Sequence, residues 1–213
     1  MTEGSGAMIE EGVAPDGRPY VHPLDRGSWR AWLVEHHATS SGVWLVGYRK
    51  TTGKPFVGYE ESVEELLCVG WIDSKGGKLD DERSLLWVCP RKPRSAWSRP
   101  NKERVARLTA AGQMLPAGVA AVEEAKRRGT WSVLDAVEDL VVPDDLAAAF
   151  AANPPAAAEW DRFPPSTRRA ILGWIVHAKR PETRATRIDE TARLAARGER
   201  ANQWRPKTGP GPR

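Results

Sequence analysis

The sequence predicts an α+β protein in which a small mixed sheet with flanking helices is followed by a C-terminal subdomain of helices alone. Two short runs rich in β-branched and aromatic residues, 43–48 and 85–89, lie among segments of helical periodicity. From Pro143 onward the composition shifts to alanine, proline and arginine, and no strand pattern remains. The sheet is therefore expected in the first two thirds of the chain.

The composition divides the 213 residues into four segments. Residues 1–19 lack hydrophobic periodicity and contain several glycines, which predicts a disordered lead. Ordered structure is expected from Tyr20, with an α+β domain over residues 20–142 and a helical domain over residues 143–200. Residues 201–213 end in Gly-Pro-Gly-Pro-Arg and are expected to be a disordered basic tail.

The first elements follow from caps and periodicity. Ser28 is a good N-cap, and the tryptophans after it recur at helical spacing. The run 43–48 predicts a strand buried on both faces. From Tyr59 the helical period returns, and Gly70-Trp71-Ile72-Asp73 is expected to end this helix. Residues 75–78 are predicted to be a turn.

The later elements are set by proline, glycine and asparagine. Pro90 stops the second strand, Asn101 is expected to cap one helix, and Pro116 opens another. Residues 130–143 are predicted to connect the two domains. The helical domain should contain four helices, opened in turn by Asp144-Asp145, Pro154-Pro155, Pro164-Pro165 and Pro181.

Several function classes have no support in the sequence. The N-terminal residues do not form a signal peptide, and no apolar run approaches the ~20 residues that span a bilayer, so we expect a cytosolic protein with no membrane partner. Cys68 and Cys89 are expected to be small buried thiols. The four histidines form no metal-binding pattern, and nucleotide, hydrolase and dehydrogenase motifs are missing. We expect no metal and no cofactor, and no recognisable catalytic motif indicates an enzyme.

The strongest candidate site lies between the end of the second helix and the basic loop after the second strand. The ligand-binding candidates are Trp71, Asp73, Arg83, Arg91, Arg94 and Trp97. A carboxylate beside guanidinium groups is a natural ion-pair partner, and arginine also stacks on indole. The competing interpretation is that Trp71 belongs to the core and Asp73 caps a turn. If the site is catalytic, Asp73 and His36 are the candidates for proton transfer.

Positive charge is concentrated in two places. Seven lysines and arginines lie between residues 91 and 107, where they would bind a phosphate or carboxylate or stack a nucleobase. Residues 179–213 carry ten lysines and arginines against four acidic residues and would bind a polyanion or an acidic partner. A solvated basic face is the alternative in both places. With a net charge of only +4, nucleic acid is not the expected partner.

Several motifs, in order, resemble the YdeI/OmpD-associated family. They are Trp32-Leu33, His36-His37-Ala38, Gly42 to Leu45, Glu65 to Asp73, Pro90 to Ser98 and Met114 to Gly118. The run from Asn153 to Arg184 resembles the helical OmdA-type domain of that family, and the likeness covers roughly residues 25–200. The resemblance implies bacteriocin protection or antimicrobial resistance, and it implies no set of catalytic residues.

Three functions are compatible with these observations. The leading hypothesis is a binding protein that confers self-protection by sequestering a small anionic or aromatic toxic compound in a cleft between the domain of residues 20–142 and the C-terminal helices. The second is an enzyme that performs acid–base chemistry on such a compound in the same cleft. The third is binding of nucleic acid or an acidic partner through the basic C-terminal end.

Overall fold

The computed structural model describes residues 9–203. The beginning of the predicted disordered lead, residues 1–8, and most of the predicted tail, residues 204–213, lie outside the described residues. The described residues form two compact units, one that ends at Trp131 and one that begins at Ser132. The α+β fold class predicted from the sequence is confirmed.

The first unit contains a five-stranded mixed sheet with the strand order β1-β2-β3-β5-β4. The pairing of β2 with β3 is parallel, and the other neighbours are antiparallel. The strands are β1 (Glu10–Val13), β2 (Pro19–His22), β3 (Val43–Tyr48), β4 (Trp71–Lys78) and β5 (Arg83–Pro90).

The prediction of disorder up to residue 19 is wrong for the part that the structure describes, because β1 and the start of β2 lie within it. Long-range contacts order this segment. The Tyr20 hydroxyl donates to Glu10 across the β1–β2 pair at 2.9 Å, and the Trp44 indole donates to Asp16 at 3.0 Å. Both contacts are hydrogen bonds between polar groups. The spacing of apolar residues along the chain therefore does not indicate them.

Strand β4 also differs from the expected helix end and turn. Its pairing with β5 is interrupted by a register shift between Asp73 and Gly76. Because β4 is an edge strand whose residues from Ser74 to Lys78 are exposed, it does not alternate apolar and polar side chains. The sequence of an exposed edge strand therefore looks like a turn.

Four α-helices and a short 3₁₀ turn (Lys50–Thr52) complete the described part of this unit. The helices are α1 (Arg26–His36), α2 (Tyr59–Cys68), α3 (Arg99–Ala110) and α4 (Pro116–Arg127). The caps differ from prediction in two places. Asp25 caps α1 by accepting from the Ser28 amide at 2.8 Å, and Ser98 rather than Asn101 precedes α3.

Helix α2 is buried on two sides. Leu66 packs in a core with Trp29 and Leu33 of α1 and with strand residues such as Leu45. One residue further on, Leu67 packs in a second core with residues of α3 and α4. The sheet, α1 and the α3–α4 pair therefore all contact the same ten-residue helix.

An ion-pair cluster joins α2 to α1. Glu65 is only 2% exposed, and its two carboxylate oxygens accept from Arg26 Nε at 2.6 Å and Arg30 Nη1 at 2.7 Å. Arg30 also donates to the carbonyl oxygen of Gln113 at 2.9 Å, in the loop between α3 and α4. A buried carboxylate requires such partners because desolvation otherwise disfavours its charge.

The end of α2 lies against the start of α4 without side chains between them. A Cβ on Gly118 would lie 2.3 Å from the carbonyl oxygen of Cys68. The chain leaves α2 through Gly70 at φ +75°, and the Leu115 amide donates to the Cys68 carbonyl at 3.0 Å. Only glycine permits this approach at position 118.

The second unit is helical in its described part, as predicted. Its helices are α5 (Asp135–Glu138), α6 (Asp144–Ala151), α7 (Ala156–Arg162), α8 (Pro165–Val176) and α9 (Pro181–Ala195). Their core includes Phe150, Trp160 and Ile171. The predicted connector contains α5, whose Val137 is buried in this core, so the unit begins after Trp131 instead of after residue 142. None of the helices described for residues 9–203 is long and apolar enough to cross a membrane.

The approach of α2 to α4 predicts opposite effects for two glycine-to-alanine substitutions. Gly118→Ala should lower the free energy of unfolding by about 1–3 kcal/mol, since the new methyl group overlaps the Cys68 carbonyl oxygen. Gly173→Ala is the matched control in α8, where the nearest atom is 3.9 Å away, and it should stabilise by about 0.5–1 kcal/mol. Urea denaturation measures both. Equal effects of the same sign would contradict the close approach.

The burial of Glu65 predicts that replacing its carboxylate by an amide of similar shape lowers the free energy of unfolding substantially. Glu65→Gln should destabilise the protein by about 2–4 kcal/mol, because Arg30 loses its counter-charge and Arg26 keeps only its ion pair with Glu64, while both side chains, 34% exposed, regain only part of their hydration. Glu35→Gln on the exposed side of α1 is the control and should change stability by less than about 0.5 kcal/mol. A Glu65→Gln variant with the stability of the control would show that the cluster is not needed.

Candidate functional site

A cavity of about 340 Å³ opens in the first unit between the strand pair β3–β5 and the N-terminal turn of α2. Strand β3, the 3₁₀ turn, the loop after it and the first residue of α2 contribute its characteristic residues. These are Gly47, Tyr48, Arg49, Lys50, Phe56 and Tyr59.

Gly47 provides the space on this strand. A Cβ at Gly47 would meet no atom within 4 Å. Its backbone is that of an ordinary strand residue, paired with Ser84 of β5, and the Ser84 hydroxyl donates to its carbonyl oxygen at 3.2 Å. The backbone therefore does not require glycine at this position. The missing side chain instead leaves the space that forms the cavity.

Tyr48, Arg49, Lys50 and Phe56 are among the residues that line this space. The Tyr48 ring packs edge-on against the buried ring of His22, at a centroid distance of 4.7 Å. The ammonium group of Lys54, which is paired with Glu82 at 2.6 Å, lies 4.9 Å from the centre of the Tyr48 ring. Arg49 and Lys50 are exposed at the rim. The cavity thus offers stacking surfaces beside positive charge, which suits an aromatic or anionic molecule.

Asp73 lies next to this cavity through Tyr59. The Tyr59 hydroxyl donates to Asp73 Oδ2 at 3.1 Å. Burial, together with the negative charge of Asp73 and this hydrogen bond, raises the pKa of the Tyr59 hydroxyl above its ordinary value. Tyr59 is therefore protonated at neutral pH and acts as a hydrogen-bond donor.

The two predicted indoles are buried. Trp71 is 1% exposed, packs edge-on to Trp32 at a centroid distance of 6.3 Å, and donates through Nε1 to the carbonyl oxygen of His37 at 3.2 Å. Trp97 is 2% exposed and lies in the core formed with α3 and α4. Both indoles pack within the protein, and neither lines the cavity at Gly47.

The structure brings Arg91 and Trp97 together. The guanidinium carbon of Arg91 lies 3.8 Å from the centre of the Trp97 ring, and Nη2 donates to the carbonyl oxygen of Ala96 at 2.7 Å. Burial lowers the pKa of Arg91 to about 10, and the charge of Asp73 opposes this change. Arg91 is therefore still charged at neutral pH. Its guanidinium group is held by stacking on the protein's own indole.

The remaining predicted residues lie elsewhere. Arg83 donates to Asp80 at 2.7 Å and to Glu10 at 3.1 Å, which ties β5 to β1. Arg94 is exposed in the loop after β5. His36 stacks on Trp32 at a centroid distance of 4.5 Å, and its Nδ1 lies 2.9 Å from the Trp32 carbonyl oxygen. These contacts hold His36 against its own helix.

Sequence reasoning missed Gly47, Tyr48, Phe56 and Tyr59. One local signal was present, since Gly47 interrupts an otherwise apolar strand, and an interior glycine often marks a place where something approaches the backbone. Metal ligands do not gather anywhere between residues 9 and 203, where no three His, Cys, Asp or Glu side chains are placed to hold an ion. Cys68 and Cys89 are free thiols.

Comparisons with known families match two parts of the chain. Residues 139–198 match the family model OmdA, described as Bacteriocin-protection, YdeI or OmpD-Associated. Residues 21–121, which include the cavity, match a model described as a domain of unknown function, DUF8412. No curated protein and no solved structure matches the chain. The match confirms the resemblance of the helical unit to the OmdA-type domain, which was recognised from Asn153 to Arg184. The motifs between Trp32 and Gly118 lie in the residues that match DUF8412.

The contact between Tyr59 and Asp73 predicts a measurable change in acidity. Asp73→Asn should lower the pKa of Tyr59 toward its ordinary value, because a neutral amide no longer opposes formation of the tyrosinate. The measurement is a pH titration of the ultraviolet absorbance of tyrosinate. Titrations of proteins with Tyr59 and with Tyr59→Phe are subtracted, and the difference reports the ionisation of Tyr59. Glu103→Gln, an exposed change on α3, is the control and should leave the titration unchanged. An unchanged titration in Asp73→Asn would contradict the contact.

Proposed function

Because this chain carries an OmdA domain, of the family described by bacteriocin protection, at residues 139–198, we propose that the protein protects its cell by sequestering a small toxic or antimicrobial compound in the cytosol. The observation that supports a binding role most directly is the cavity at Gly47. It combines open volume, aromatic rings and cations in the unit that precedes the OmdA domain.

The size of the cavity sets the class of ligand. At about 340 Å³ it falls within the range of roughly 300–1,000 Å³ typical of small-molecule sites. Phe56 and Tyr59 supply stacking surface, and Arg49 and Lys50 favour a negative charge. The ligand that fits this combination is an aromatic compound with a carboxylate, sulfonate or phosphate group.

Sequestration without chemistry is favoured by the state of the polar groups at the cavity. The pKa of Tyr59 is raised, so its hydroxyl stays protonated and cannot act as a base. This hydroxyl donates a hydrogen bond to Asp73, so one carboxylate oxygen of Asp73 already has a partner. The alternative function is an enzyme that performs acid–base chemistry on the same ligand. The observation that favours this alternative is the second carboxylate oxygen of Asp73, Oδ1, to which Tyr59 does not donate and which can act as the base.

A substitution that fills the cavity tests the proposal in cells. Gly47→Val should abolish protection, because the valine side chain occupies the space above the strand. It should not damage the fold, since valine favours strands and a Cβ there meets no atom within 4 Å. Minimum inhibitory concentrations for a panel of anionic and cationic antimicrobial compounds, in a deletion strain that carries each variant, provide the measurement. We expect the value for the recognised compound to fall to that of the deletion strain.

The control carries the same substitution on another strand. Gly76→Val lies on exposed β4, where the nearest contact of a Cβ would be 3.8 Å, and it should protect as well as the wild type. Circular dichroism and thermal unfolding establish that both variants fold. A folded Gly47→Val protein that protects fully would exclude this cavity as the protective site.

A further inference from the structure

Arg91 is a largely buried cation whose hydrogen-bond donors are only partly used. Its guanidinium group follows β5 directly and donates through Nη2 to the carbonyl oxygen of Ala96 at 2.7 Å. Two further nitrogens, Nε and Nη1, are covered from solvent, and no residue between 9 and 203 supplies an acceptor for them. Burial without acceptors is costly for a charged donor, because the hydration that it loses is not replaced.

Two carboxylates lie in the neighbourhood, and neither pairs with Arg91. The charge of Asp73 acts on Arg91 from a distance, but Asp73 does not accept a hydrogen bond from it. Glu124 lies beside the same cavity as Arg91, and its two oxygens accept from Arg127 and Arg128. Within the described part of the chain, Arg91 therefore has no direct counter-charge.

A cavity of about 70 Å³ borders Arg91, between the turn after β5 and helix α4. Pro93 and Ser95 line it from the turn, and Ala121 and Ala125 line it from α4. At roughly 30 Å³ for each water molecule, this space holds about two waters or one carboxylate group. Drug-sized ligands need at least roughly 300 Å³, so the cavity suits only a very small molecule.

Trp97 fixes the plane of the guanidinium group. The centre of its ring lies 3.8 Å from the guanidinium carbon of Arg91. A guanidinium group has two forks of parallel N–H donors, Nε with Nη2 and Nη1 with Nη2, and each fork uses a different hydrogen of Nη2. The hydrogen bond to Ala96 occupies one hydrogen of Nη2, so one fork keeps both donors. A fork held in a fixed plane matches the two oxygens of a carboxylate.

We propose that the cavity beside Arg91 binds a small free carboxylate of the size of acetate, which accepts from the intact fork of the guanidinium group. Because Nε and Nη1 are covered from solvent, the turn of residues 92–95 moves aside to admit the anion. This turn belongs to no helix or strand, and the Ser95 amide closes it by donating to the Lys92 carbonyl oxygen at 2.8 Å. The proposal does not rest on the function proposed for the cavity at Gly47.

Nuclear magnetic resonance of the ¹⁵N-labelled full-length protein tests this site at the Nε–H group of Arg91. At constant ionic strength, acetate should shift this resonance saturably. Acetamide has the same shape without the charge and should bind at least ~10-fold more weakly, because hydrogen bonds between ions are stronger than those to a neutral acceptor. Trimethylacetate has the same charge on a body too large for the cavity and should also bind at least ~10-fold more weakly.

Each comparison can overturn one part of the proposal. Equal affinities for acetate and acetamide would overturn the choice of an anion, and equal affinities for acetate and trimethylacetate would overturn the cavity as its location. A resonance of Arg91 that does not respond to acetate would overturn the site.

Two arginines near the cavity offer a matched pair of variants. Arg91→Lys keeps the positive charge but removes the fork, and it should weaken acetate binding at least ~10-fold. Arg94→Lys makes the same change at an exposed arginine and should leave the affinity unchanged. The backbone amide of Ser95 reports binding in both variants, and equal affinities would overturn the role of the fork. If Arg91→Lys does not fold, the three ligands compared on the wild type decide the question. Gly47→Val should bind acetate normally, so loss of protection and loss of acetate binding are separate outcomes.

Discussion

The buried carboxylate of Glu65 is the interaction on which the first unit depends. It lies on α2 and accepts from both Arg26 and Arg30 of α1, so the charge that is costly to bury also fixes the distance between the two helices. On its other faces α2 contributes Leu66 to the core under the sheet and Leu67 to the core under α3 and α4. Three sets of elements therefore take their positions from one helix.

The position of α2 also determines the cavity at Gly47. Its first turn carries Tyr59 to the mouth of the cavity above Gly47, where the hydroxyl reaches Asp73. Its last residue, Cys68, contacts Gly118 at the start of α4, and this contact sets where α4 lies beside α3. The cavity does not require a strained backbone, since it arises from the missing side chain of Gly47.

The sequence predicted those elements whose signal is local. Strand β3 has the predicted bounds because its continuous apolar run records burial on both faces, and the helices of the second unit begin near the predicted prolines. Strands β1 and β4 were missed because they are edge strands with mostly exposed residues, which leaves no alternation of apolar and polar side chains, and β2 was missed because it is only four residues long. At the site, residue type alone could not distinguish an indole in the core, such as Trp71, from a ring at a cavity, such as Tyr59. That distinction depends on which face of a strand or helix meets its neighbours.

Native mass spectrometry tests the central claim of sequestration most directly. The full-length protein and its Gly47→Val variant are incubated in parallel with a small-metabolite extract of the cells that produce the protein. Our account predicts an adduct on the wild type that is absent from the variant, and a released compound whose mass equals its mass in the untreated extract. A compound of the extract that is converted to a new mass would contradict sequestration, and an adduct of equal abundance on both proteins would contradict the site.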